Sequence, residues 1–281
     1  MVVPEIITLL LAPFLLSYYW NVSIRSFLIL PRCFQCCIST YEIDCPSDTA
    51  PTLKHAIALA TSTANIFGTR TIHTIHLQGA HHTTESIAID SPHKLLILGT
   101  STMAMDLNPT AHKVPTPTKK DPKFTPTTLT LESSFAVVDQ GNVTLRHLHI
   151  HSGVGVQATD GGTLTLEQCE ITHCTSSGAF ARRGGRLQVD QCRVTHNSGS
   201  GVVCGDSGSR ITVTDCTLCN NTASGVYCYF GGVGDIHGDR TVVSNNGLND
   251  LRARGGTINV LLSDDTDLIC QRSVEAGGII V

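Results

Sequence analysis

Charge and aromatic rings are both scarce in this chain. Asp, Glu, Lys and Arg supply 15% of the 281 residues, Phe, Trp and Tyr supply 5%, and the formal net charge is -4. A balance this weak and negative excludes non-specific nucleic-acid binding, which needs a basic stripe to neutralise phosphates. A long apolar run is missing too. Ile6 to Trp20 is nearly all apolar but only fifteen residues, short of the ~20 that cross a bilayer as a helix. Only Glu5 precedes it, so the basic start of a secretory signal is absent. Reading on past Pro13, Asn21 and Arg25 to Leu30 gives the alternative of a membrane anchor or a secreted protein, with Cys33, Cys36 and Cys37 as acylation candidates.

What the chain has instead is repetition. Leu164, Leu166, Cys169 and Ile171 recur as Leu187, Val189, Cys192 and Val194, and again as Ile211, Val213, Cys216 and Leu218. A weaker copy aligns Ile236 with Ile211 and Thr241 with Cys216. The successive steps from Leu164 to Leu187, Leu187 to Ile211 and Ile211 to Ile236 are 23, 24 and 25 residues. Each copy leads through a glycine-marked turn into a short strand at Gly178–Ala181, Gly201–Cys204 and Gly225–Cys228. A period of this length, built from alternating apolar residues, marks a stacked solenoid. Helical repeats are excluded because the alternation has period 2 and β-branched residues crowd each copy.

Three short strands and three bends per copy describe a three-sided parallel β-helix of about 22–25 residues per coil. Its right hand follows from the bias of parallel crossovers. Stacking turns aligned positions into columns. Cys169, Cys192 and Cys216 are expected inside one above another, as are Ala181, Cys204 and Cys228. Asn197, Asn221 and Asn246 align at one bend, where amides bond backbone groups that a turn leaves unpaired. Of the twelve cysteines, Cys169, Cys192, Cys204, Cys216 and Cys228 therefore read as reduced core thiols, since in-register neighbours offer poor disulfide geometry. Reduced thiols favour the cytoplasm or nucleus.

Residues 1–45 form an apolar, cysteine-rich segment, and 46–281 the solenoid. Ser47 or Asp48 caps an amphipathic helix through Leu53, Ala56, Ile57 and Ala60, the natural lid for the first coil. Strands follow at 71–77, 86–89 and 95–99. Five prolines then mark 101–126 as a Pro/Thr/Lys-rich loop insertion, and the strands resume at 128–131, 135–138 and 143–145. The acidic turn Asp264–Asp267 precedes the end of the final coil.

The stretch from Leu53 to Val260 resembles the right-handed parallel β-helix repeat family of the pectin-lyase-like superfamily. Its opening carries the likeness: Ala56 to Ala60, Thr74 to Ala80, Glu85 to Ile89 and Leu96 to Gly99. The segment Phe135 to Ile150, with the cysteine-bearing coils, is most similar to eukaryotic Shc-binding, spindle-associated and F-box-only scaffold members. That resemblance implies a non-catalytic binding role. No F-box-like helical segment accompanies it.

Enzymes of the superfamily cleave acidic polysaccharides. His237-Gly238 and Arg210-Ile211 resemble two hydrolase motifs in the wrong order, and no coil supplies adjacent outward Asp or Glu for acid and base work. No catalytic, cofactor or metal residue is assigned. His149, His151, His173 and His196 cluster on the outside, where the reading is a solvated polar face. The candidate partner surface is Phe180, Val203, Tyr227, Tyr229 and Phe230, which should point outward from the glycine-led strands. The partner expected is another protein, with a polysaccharide as the alternative.

Overall fold

The computed structural model describes residues 40–46, 51–67, 72–84, 86–90, 94–99, 127–151, 153–261, 272–275 and 277–281. The apolar stretch Ile6 to Leu30, Cys33, Cys36, Cys37, the 101–126 insertion and the Asp264–Asp267 turn lie outside them. Among the described residues no helix is long and apolar enough to cross a membrane.

Alternating side chains and short turns wind the chain into a right-handed parallel β-helix with three walls. One wall has ten strands, from Thr40–Cys45 to Ile279–Ile280; the second has seven, from Ala80–Thr83 to Val242–Ser244; the third has eight, from Ile87–Ile89 to Arg272–Glu275. Leu164 pairs with Leu187, Leu187 with Ile211, and Ile171 with Val194, all in parallel register. These apolar columns fill the interior, while Thr165, Gln188 and Thr212 stack outside.

The expected ladders are present. The Cys169 N–H donates to Cys192 Sγ and the Cys192 N–H to Cys216 Sγ, each at 3.3 Å. Thr241 continues the column with its hydroxyl, 3.4 Å from the Cys216 nitrogen. Asn197 donates to Asn221 Oδ1 at 2.9 Å, Asn221 to Asn246 Oδ1 at 3.0 Å, and Asn246 to Asp250 Oδ1 at 2.9 Å. Eight described cysteines are free thiols, seven of them buried.

Four readings change. Strand Thr40–Cys45 already pairs with Ile72–Leu77, so the ladder begins before residue 46. Strand Ala80–Thr83 escapes the alternation rule because histidine, His81, fills its interior position. The helix, Leu53–Phe67, starts from Thr52, whose hydroxyl accepts from the His55 N–H at 3.3 Å, while Ser47 and Asp48 lie outside the described residues. Leu53, Ala56, Ile57 and Ala60 are buried as expected, on the helix that contacts the first two strands of the ten-strand wall.

The fourth change is a register slip. Ile236 pairs with Val213, and Gly234 takes the place opposite Ile211. Thr241 still aligns with the cysteines, so two extra residues sit in the corner between them. That corner carries Gly238 and Arg240 outward, and the Arg240 guanidinium reaches Asp215 at 2.8 Å.

Candidate binding surface

The eight-strand wall presents one outward column of Ala136, Gln157, Phe180, Val203, Tyr227 and Arg252. Phe180 and Tyr227 are half-buried as free-standing rings would be on a flat sheet. Val203 is a correction: it shares the column but is 5% exposed, a short side chain set between two larger ones. It contributes packing, not contact area.

Two positions along the strand, Gly205 pairs with Tyr229. A Cβ on Gly205 would meet Tyr229 Cζ at 2.2 Å, so the ring lies over the glycine and a side chain there would displace it. Tyr229 then stacks on Tyr227 with centroids 5.2 Å apart and meets Phe230 edge-on at 5.3 Å. Burial, ahead of the nearby Asp206, raises the Tyr229 phenol above its ordinary range. Phe230 is 65% exposed and sits at the corner with φ 48. The same left-handed corner recurs at Asp139, Asp160, Arg183 and Asp206, so it belongs to the coil.

Arginines frame the rings. Arg252 lies 5.1 Å from the Tyr227 centroid and bonds Glu275 at 3.0 Å. That bond raises the guanidinium and lowers the Glu275 carboxyl. Arg182 donates to Gln157 at 3.0 Å, and Arg182 and Arg254 are exposed. The sequence reading missed these arginines because their strands were aligned by apolar residues alone; the register Tyr227 to Arg252 was the available signal.

The outward histidines sit on the seven-strand wall and its following corner. Ring centroids are 6.0 Å apart for His149 and His151, 5.2 Å for His151 and His173, and 5.7 Å for His173 and His196. Partial burial, then the neighbouring His173 and His149, lowers the His151 imidazole below its usual range. Among the described residues no three His, Cys, Asp or Glu side chains enclose an ion.

One pair of carboxylates meets across coils: Glu167 and Asp190 are register partners on the ten-strand wall. Asp190 is raised by burial, then by Glu167 and Asp215, whereas Asp215 is lowered by its bond to Arg240. Arg146 pairs with Glu167. Comparing positions within single coils hides this group, because its members meet across coils and the Arg240 corner carries the slip.

Residues 129–266 match the family model for a right handed beta helix region. The match covers the coils that bear the cysteine and asparagine ladders and the aromatic surface, and it carries the fold rather than any finer relationship. No curated protein matches the chain.

Proposed function

We propose that this β-helix is a non-catalytic scaffold that holds a protein partner against its eight-strand wall. The observation that carries the reading is the cluster of Tyr227, Tyr229 and Phe230 on an outer face, with Tyr229 packed against both other rings and arginines framing them. Tyr, Phe and Arg are the side chains that anchor protein interfaces. A rigid stack of coils supports them, so little order is lost on binding. The likeness of Phe135 to Ile150 to Shc-binding and F-box-only scaffold proteins supports the same class of role. The free thiols of the eight described cysteines support a reducing compartment, cytoplasm or nucleus, and an oxidised set in freshly isolated protein would overturn that inference.

The test is affinity capture from native cells with a reducing-agent control, followed by titration of the recovered partner. Tyr227→Ser with Phe230→Ser should weaken binding at least tenfold and leave the melting profile in place. Equal binding by the variant discards the surface.

A second reading, polysaccharide cleavage, is favoured by one feature: neighbouring carboxylates pushed in opposite directions, Asp190 up and Asp215 down, the pattern of an acid and base pair. Arg146 and Arg240 already engage Glu167 and Asp215, which favours a structural charge ladder. If cleavage occurs, purified protein should release products from an acidic polysaccharide, and Asp190→Asn should abolish release. No release by the unaltered protein disposes of this reading.

A further inference from the structure

We propose that His151 and His173 form a surface clamp for a divalent transition-metal ion of the Ni2+, Cu2+ or Zn2+ class. Stacked coils place the two rings on successive turns: His151 ends one strand, and His173 occupies the corner after the next, with φ 56. That corner is fixed from within, because the following N–H, of Cys174, donates to the buried Asn197 Oδ1 at 3.0 Å. The rings lie 5.2 Å apart, tilted by 60°. Two imidazoles on one tetrahedral ion, at metal–nitrogen distances of about 2.0–2.1 Å, hold their centroids roughly 5 Å apart.

The neighbouring histidines fit less well. His149 is 6.0 Å from His151, and its Nε2 lies 3.0 Å from Thr172 Oγ1. His196 is 5.7 Å from His173 with ring planes only 10° apart, so their in-plane lone pairs lie in parallel planes and do not meet. The carboxylate nearest in register, Glu170, faces Arg193 at 3.8 Å. The ion would therefore hold two protein nitrogens and keep water elsewhere. Nitrogen ligands select late first-row metals over calcium and magnesium.

Calorimetric titration of the untagged protein with Ni2+ tests this. At pH 7.5 one ion per chain should bind saturably. His151→Gln and His173→Gln should each weaken it at least tenfold at pH 7.5, while His149→Gln and His196→Gln stay within about twofold. All four side chains lie at the surface, so circular-dichroism melts should be unchanged. The absence of saturable binding at pH 7.5 overturns the clamp, as does binding that survives the His151→Gln/His173→Gln pair or falls equally in His196→Gln.

Discussion

Replacing Asn221 with alanine should destabilise the solenoid by about 3–5 kcal/mol, since each buried polar group stripped of its partner costs roughly 1–3 kcal/mol. Asn221 is 1% exposed. Its Oδ1 accepts from the Asn197 nitrogen at 3.2 Å and from Asn197 Nδ2 at 2.9 Å. Its Nδ2 donates to the Val194 carbonyl and to Asn246 Oδ1, both at 3.0 Å. Truncation orphans groups on both neighbouring coils at once. Exposed Thr222, the next residue, provides the control: Thr222→Ala should stay within about 0.5 kcal/mol of the parent. Thermal and urea melts followed by circular dichroism measure both. Indistinguishable melts for the two variants would remove the ladder from the account of stability.

The second large effect is steric. Gly185 opens a ten-strand-wall segment at the corner, and a Cβ there would lie 2.2 Å from the Ala158 carbonyl oxygen and 2.5 Å from its carbon. Backbone cannot rotate aside as a side chain can, so Gly185→Ala must push adjacent coils away from each other. Overpacking against fixed atoms costs about 3 kcal/mol. Gly184 is the internal comparison. It has φ +79, and its nearest neighbour to a new Cβ is the Gly161 nitrogen at 3.8 Å. Gly184→Ala should therefore cost only the left-handed backbone, roughly 1–2 kcal/mol. Equal losses for the two alanines would mean that coil spacing yields more readily than the contact distances imply. Ser209 shows how a side chain is admitted to the same column. Six positions separate Cys204 from Arg210, against five between Ala181 and Arg186, and the longer corner lets the Ser209 hydroxyl accept from the Gly184 N–H at 3.0 Å.

Period-2 alternation and the glycine turns made the stacking legible from sequence, because both follow from backbone geometry that every coil must repeat. Cys169, Cys192 and Cys216 were readable for the same reason. The coil around Gly234 was not. Without a side chain, Gly234 gives no apolar mark at its interior position, so Ile236 was matched to Ile211 instead of Val213. Strand Ala80–Thr83 was hidden by a histidine in a core slot. On the candidate surface, the outward direction of Phe180, Tyr227 and Tyr229 followed from the turn, whereas the burial of Val203 depended on the sizes of its neighbours on other coils. Arg252 and the Glu167 and Asp190 pair needed register across coils, which a slip of two residues was enough to blur.

The thiol spine has a consequence for how the molecule can be watched. Cys192 Sγ donates to the Leu166 and Asp190 carbonyls while accepting from the Cys169 N–H, and burial, followed by its thiol neighbours, pushes its acidity far down. Cys174 is likewise pushed up to about 12 and Cys45 to about 11 by burial. A thiolate is the nucleophile that reacts with alkylating reagents, and burial disfavours it at these sites while the coils stay closed. Each sulfur therefore acts as a silent clock hand: its modification rate records how often its own turn of the spiral breathes, from half-exposed Cys219 inward to the sealed axis.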